Sequence, residues 1–467
     1  KITTFAEKLS EIMLYRKNES RIREFFRNDK RALLVTGARQ TGKTYSIRKV
    51  AKECFDVVVE INFVENPEAI AMFSNVNNSQ ELLLRISAFA KQHLIPHKTI
   101  IFFDEVQECK EIVTAIKFLV DEGSYHYVLS GSLLGVELHD IRSIPVGYLS
   151  VLEMHPLDLE EFAIAQGVSS IVLSHLKECY DQQKAVDHLV HNKMLDLLRL
   201  YLIIGGMPHV VETYLTTNNI KRVLEIQKDI IRLYKQDIAK YDKQRKLNIA
   251  DIYNLIPSEL NAKNKRFILK QLNEKGRFSK YENSFVWLQD AGVAIPVYNI
   301  DEPTVPLLLS KQRNLFKLFL SDVGLLAAMY AGNIQQKLLS GELEINFGAI
   351  YENFAAQELY AHGLAGDEHQ LFYFNSKQQG ELDFVIENDG AILPIEIKSG
   401  KAYHRHNALN NVLSNQQYAI PKAIVFSNEN VEEQDKVIYF PIYMIMFLQK
   451  QELSDDAIYK FDISGLN

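Results

Sequence analysis

The sequence predicts an α/β protein: a parallel sheet in the N-terminal third, a helical middle, and a second α/β unit at the C-terminal end. Three observations carry this. The apolar run Leu33-Leu34-Val35-Thr36 enters the glycine-framed loop Gly37-Ala38-Arg39-Gln40-Thr41-Gly42-Lys43-Thr44. A second apolar run, Thr99-Ile100-Ile101-Phe102-Phe103, ends in Asp104-Glu105. Far downstream, the turn Asn388-Asp389-Gly390 separates two short strand patterns that carry Asp383, Glu396 and Lys398.

The 467 residues are too many for one core and predict about two to four domains. Hydrophobic content of 47% and charged content of 24% fit an ordinary globular chain. A net charge of −7 argues against coating nucleic acid through bulk electrostatics, though a local basic patch survives inside an acidic average. Cys54, Cys109 and Cys179 form no pair in sequence, so a reducing compartment and buried, hydrophobe-like cysteines are expected. No apolar run approaches the length of a membrane span, and no charged-then-apolar leader opens the chain, so no membrane partner and a cytoplasmic location are expected. The chain starts at Lys1 rather than methionine, and a few residues are expected ahead of it.

In order, Phe5 to Asn28 carries Leu9, Ile12, Met13, Ile22, Phe25 and Phe26 at helical spacing. The G-x-x-x-x-G-K-T loop that follows the first strand reads as a P-loop. Gly37 and Gly42 permit backbone angles that let N–H groups, including those of Gln40 and Thr41, wrap a polyphosphate. Lys43 then reaches the β- and γ-phosphates, and Thr44 offers a hydroxyl to Mg²⁺ at the start of the next helix, Thr44 to Glu53. ATP and Mg²⁺ are the expected ligands. Asp56 to Phe63 is a β-branched strand, and Gln80 to His93 an amphipathic helix. The strand ending in Asp104-Glu105 is apolar throughout, as in parallel sheets covered on both faces. Asp104 is placed to hold Mg²⁺ through its water shell, and Glu105 to polarise the attacking water. Tyr125 to Ser132 is another buried strand; Ser130 or Ser132 either senses the γ-phosphate or belongs to a tight turn.

Several strings now resemble a family: GARQTGKT, FFDEVQE, LSGSLLGVEL, PVGYLSVLEMHPLDLEEF and YLIIGGMPHVV look like the AAA+-related ATPases of bacteria and archaea that carry a DUF4143 region. The resemblance runs from about Arg31 to Ser399. It implies a P-loop NTPase core of the AAA+/ASCE kind with an added central strand, and ATP as ligand. It also implies a DUF4143 region over about 200–400. Such proteins usually carry Arg or Lys after the glycine of the PVG element, where this chain has Tyr148, with Arg142 nearby as a substitute. The trans-acting arginine and the oligomeric state stay open.

Leu173 to Tyr241 is helical, broken at Gly205-Gly206-Met207-Pro208, and is similar to the helical lid of AAA+ proteins. Asp237 to Tyr241 recurs in the family without a role readable from its residues. In Asp251 to Ile300, helices followed by a short hairpin, Phe285 to Leu288 and Gly292 to Tyr298, suggest a winged helix. Lys263, Lys265, Arg266, Lys270, Lys275, Arg277 and Lys280 gather charge there for phosphates, or form a plain solvated face. Trp287 is expected in the core.

In the C-terminal strands, alternation puts Glu396 and Lys398 on one face, and a register placing Asp383 near Glu396 would gather two carboxylates and an amine. That grouping resembles the PD-(D/E)XK, restriction-endonuclease-like fold. The resemblance implies Asp383 and Glu396 as metal ligands, Lys398 as the water-positioning group and Glu352 as the helix-borne acid. Without it, these side chains read as exposed ion pairs. His404, Arg405 and His406 could meet a phosphate but do not make a zinc pattern.

The expected division is 1–165 for the ATPase domain, 166–340 for a helical lid and winged-helix-like region, and 341–467 for the nuclease-like domain. Two functions follow. One is a Mg-dependent ATPase coupled to a C-terminal half that processes DNA or RNA. The other is an ATP-dependent switch whose nuclease-like domain recognises nucleic acid, or a protein partner, without cutting.

Overall fold

Helix α1 (Lys17–Asn28) leads into β1 (Ala32–Thr36), α2 (Lys43–Cys54), β2 (Val57–Asn62), α3 (Ser79–Phe89), β3 (Thr99–Asp104), α4 (Glu111–Glu122), β4 (His126–Ser130) and β5 (Leu149–Glu153). The structure, a computed structural model, describes residues 13–74, 78–132, 147–245, 248–262, 264–268, 278–330, 334–340, 348–366 and 369–450. Arg142 lies outside them, as do Lys263, Lys270, Lys275 and Arg277.

These strands form one parallel sheet in the order β2-β3-β4-β1-β5. β4 stands between the strand of the glycine loop and the strand of Asp104, which is the added central strand that the resemblance implies. All six residues of β3 are buried, because helices cover both faces of the sheet. Ile100 and Phe102 join a core with Ile47 and Val50 of α2, while Ile101 and Phe103 join another with Ile112 and Ile116 of α4.

Helices α5 (Leu159–Ala165), α6 (Ser170–Asp181), α7 (His188–Ile204), α8 (Pro208–Thr217), α9 (Ile220–Arg245), α10 (Ile249–Asn261) and α11 (Phe278–Asp290) fill the middle. The break between α7 and α8 has a clear cause. Gly205 sits at φ 74° against the carboxylate of Asp322, and a methyl there would fall 2.3 Å from Oδ1. Asp322 is fully buried and accepts N–H groups from Gly206 (2.6 Å) and Leu325 (2.8 Å). It therefore holds the helix break to the start of α12 (Val323–Met329). Among the described residues no single helix is long and apolar enough to cross a membrane.

The expected hairpin of Phe285 to Leu288 with Gly292 to Tyr298 does not form. Tyr281, Ser284, Phe285 and Leu288 are buried at helical spacing, and this stretch belongs to α11. Instead β6 (Ala294–Ile300) pairs antiparallel with β7 (Lys311–Leu320), and β6 also pairs with β8 (Leu371–Ser376). Only the second of the two expected wing strands exists, as β6 beside the edge strand β7 of the second sheet. Trp287 is buried and packs on Tyr241 with ring centroids 5.5 Å apart.

After α13 (Ile334–Ser340) and α14 (Gly348–Ala361), the chain completes that sheet with β8, β9 (Gly380–Asn388), β10 (Ala391–Lys398), α15 (Asn407–Ser414), β11 (Ala423–Ser427), β12 (Glu432–Gln434) and β13 (Val437–Pro441). The mixed sheet runs β12-β13-β11-β10-β9-β8-β6-β7. The β9–β10 hairpin turns at Asp389 and Gly390, both at positive φ (52° and 73°), as a two-residue turn between right-twisted strands requires. One apolar cluster joins Leu157, Leu159 and Phe162 to the helical middle, to α14 and to Ile395 and Ile397 of β10. Cys109 and Cys179 are buried and Cys54 is half-buried, all as free thiols.

Candidate functional site

The loop between β1 and α2 owes its shape to its glycines. Gly37 lies at φ 126°, and a methyl there would meet the carbonyl oxygen of Met154 at 2.2 Å. Gly42 and Gln40 also have positive φ, 91° and 65°. The Lys43 ammonium is nearly buried and donates to the carbonyls of Gly37 (3.0 Å) and Ala38 (2.7 Å). Burial brings its pKa down to about 8, with the charges of Glu105 and Asp104 opposing that shift. Thr41 is fully buried, its hydroxyl on Ala38 O at 3.0 Å.

Asp104 sits at the C-terminal end of β3 and faces this loop. Thr44 donates its hydroxyl to Asp104 Oδ2 (3.1 Å), Asn62 adds an amide at 3.2 Å, and Ser130 donates to Oδ1. Burial raises the Asp104 pKa, and the hydrogen bond from Ser130 opposes it. Glu105 takes a left-handed backbone (φ 56°), and its Oε2 accepts from Gln107 and, at 3.4 Å, from Ser132. Lys43, Thr44, Asp104, Glu105, Ser130 and Ser132 therefore converge from three strand ends. The donor set suits a triphosphate with hydrated Mg²⁺: a loop of N–H groups, an ammonium, and a threonine hydroxyl beside a carboxylate.

Residues that the sequence did not single out brace this loop from outside. Arg39 Nε lies 3.1 Å from Ser132 Oγ and 3.1 Å from Asp237 Oδ2 on α9, while Tyr234 donates to Arg39 O at 3.1 Å. Asp237, left without a role by its sequence, thus meets the phosphate loop. Arg16, just ahead of α1, donates to Thr41 O (2.7 Å) and His155 O (2.6 Å), with Glu161 at 3.2 Å. Tyr148 meets Asp121, which raises its phenol pKa.

A second cluster lies between α14 and the mixed sheet. Asp383 Oδ2 accepts the N–H of Ile397 (2.9 Å), and Lys398 donates to Glu396 at 2.7 Å. Burial pushes Glu396 up to about 8, with the Asp383 charge adding to it. Burial also pushes Asp383 up, but the ammonium groups of Lys317, Lys265 and Lys398 outweigh it and hold the pKa below the ordinary value. Glu352, buried on α14, pairs with Lys265 and lies 3.6 Å from Lys317, which is itself fully buried and 2.8 Å from Glu381. All four expected residues, Glu352, Asp383, Glu396 and Lys398, meet here. Lys317 and Glu381 were missed, although a lone lysine inside Leu315-Phe316-Lys317-Leu318-Phe319 was a visible signal. Among the described residues, no three Asp, Glu, His or Cys side chains are grouped to hold a metal ion, and three lysines already engage this cluster. The described part of the basic patch also turns inward: Lys265 pairs with Glu352, and the Arg266 charge opposes the rise that burial gives the Tyr373 phenol pKa. His406 is buried on Tyr439 (2.7 Å), and His404 faces Glu432.

Residues 29–163 match a family described as an AAA domain. Residues 347–445 match the domain of unknown function DUF4143, starting later and ending later than the expected 200–400, and residues 195–337 match another, DUF8612. No curated protein matches the chain. Among solved structures, the chain is similar to a Walker-type ATPase of Pyrococcus abyssi, with 16% identity over 68% of this chain and 97% of that one, and a TM-score of 0.41. It is also similar to the Orc1 protein of Aeropyrum pernix in complex with DNA (15%, 72% and 95%, TM-score 0.28). A third is the RuvB Holliday junction branch migration motor of Thermotoga maritima (13%, 65% and 92%, TM-score 0.28). Likeness at this level bears on neither substrate nor partner. The N-terminal unit is a P-loop NTPase-like α/β domain with a parallel sheet, followed by a C-terminal mixed sheet.

Proposed function

We propose that this protein binds ATP with Mg²⁺ at the loop of residues 37–44 and hydrolyses it, and that the cycle controls a nuclease-like C-terminal half that recognises DNA, RNA or a protein partner. The single observation that carries the reading is the meeting of Thr44 and Asp104 at 3.1 Å beside the Lys43 ammonium. Lys43, Thr44 and the loop N–H groups would hold the nucleotide, Thr44 and Asp104 the Mg²⁺. The metal would supply charge neutralisation at the phosphates. Glu105 would orient the attacking water, and Ser130 or Ser132 would keep the carboxylates aimed.

Coupling rests on the bracing contacts. Arg39 ties the loop to Asp237 of the helical middle, and Arg16 ties it to Glu161. Glu161 belongs to a buried group with Asp158, which lies 3.5 Å from His362 beyond α14. The same helix carries Glu352. The proposed units are 1–165, 166–340 and 341–467, in a cytoplasmic protein.

The test is phosphate release. Lys43→Ala should abolish nucleotide binding, and Glu105→Gln should keep binding while slowing release about 100-fold. No magnesium-dependent release from well-folded protein, with no heat on adding MgATP, would refute the proposal. Cutting is the second reading, favoured by the meeting of Asp383, Glu396 and Lys398. Nicking of DNA or RNA that disappears in Asp383→Ala would select it over recognition.

A further inference from the structure

The divalent metal that a nuclease-like fold implies for the Asp383 cluster meets a misfit in this chain. A divalent cation binds through carboxylate oxygens at roughly 2.0–2.6 Å and needs several of them turned to one point. Here oxygens that would serve are already engaged by ammonium groups and a backbone N–H. Lys317 reaches the cluster from β7, has no solvent exposure, and sets its ammonium 2.8 Å from Glu381 Oε1 and 3.6 Å from Glu352 Oε2. Lys265 holds the other Glu352 oxygen, Lys398 holds Glu396 at 2.7 Å, and the Ile397 N–H holds Asp383. Three ammonium groups thus face the four carboxylates of Glu352, Glu381, Asp383 and Glu396.

We infer that the Lys317 ammonium is a built-in counter-ion standing where a divalent cation would sit, so that the C-terminal pocket is a metal-free one. This rests on the nuclease-like reading of the pocket and narrows it to recognition without metal-dependent cutting. The chemistry is consistent: a lysine anchored in a strand brings a permanent positive charge to the carboxylates, and a buried ammonium is retained only where carboxylates surround it. A metal approaching the same oxygens would have to displace a side chain that the apolar strand on either side, Phe316 and Leu318, keeps in place.

The test is Mn²⁺ binding to the full chain without nucleotide, followed by electron paramagnetic resonance. The wild type and Asp383→Asn should leave the same undiminished six-line signal of free Mn²⁺. Lys317→Met should gain about one bound Mn²⁺ per chain, and the double variant Lys317→Met, Asp383→Asn should lose it. Lys317→Gln, which keeps a donor for Glu381, serves as the second variant if the methionine fails to fold. Wild-type binding that vanishes in Asp383→Asn would overturn the inference and leave the nuclease-like reading standing. Folded Lys317 variants that bind no Mn²⁺ would overturn both.

Discussion

With its ammonium buried against the Gly37 and Ala38 carbonyls and its pKa brought down to about 8, Lys43 is about half neutral at pH 8 in the free protein. The shift from 10.5 corresponds to about 3 kcal/mol favouring the neutral amine. A triphosphate beside it would reverse that preference and bring the pKa back toward the ordinary lysine range, so binding at pH 8 takes up about half a proton. At pH 7 the uptake falls to about a tenth of a proton, because the amine is already charged. Above pH 8 the affinity should drop about tenfold per pH unit, since the free protein must first gain the proton that the complex holds. Calorimetric titration with a slowly hydrolysed MgATP analogue, in buffers of low and high ionisation heat at pH 8, reads the uptake as the slope of heat against buffer enthalpy. Lys43→Arg should flatten the slope, because a guanidinium does not titrate there. Tight binding with zero slope in the wild type would refute the reasoning.

Asp237→Asn should slow phosphate release about tenfold by freeing Arg39, while changing the melting temperature by about 2 °C or less; steady-state release and a thermal scan check the two together. Gly205→Ala drives a methyl into the Asp322 carboxylate and should cost about 3 kcal/mol or more in urea unfolding. Trp287 is the only tryptophan of the chain and is buried against Tyr241, so its emission should be blue-shifted when native and move to longer wavelength on unfolding.

Much of the geometry of the proposed nucleotide site was legible because its chemistry is local. The loop, its lysine and its threonine are contiguous, and Asp104-Glu105 ends a strand whose apolar run leaves one assignment for it. The bracing was not legible, since Arg16, Arg39 and Asp237 meet across stretches of chain that carry no shared pattern. The winged-helix expectation failed on period: Phe285 to Leu288 is a short apolar run that fits a strand in isolation, and only Tyr281 and Ser284 before it show the helical repeat. The C-terminal hairpin was readable from Asn388-Asp389-Gly390, whereas its neighbours were not. β8 pairs with β6, far upstream in the chain (Val297 beside Leu371), and β7 reaches the sheet only through β6; pairing between strands as distant as β6 and β8 leaves no trace in either one. Lys317 is visible as a lysine inside an apolar run, but nothing in its own strand names its partners, and Lys265 belongs by sequence to a basic patch yet turns in to meet Glu352.

The attachment of α14 at two points has a mechanical result. Within its fourteen residues Glu352 and Glu358 stand six positions apart, about 9 Å along the axis, the first in the carboxylate cluster and the second accepting the N–H of Leu159 at 3.1 Å. A rod pinned in this way transmits displacement without absorbing it. Under the proposed function, a shift in the stretch after β5 would reach Glu352 through this helix, and the carboxylate cluster with it.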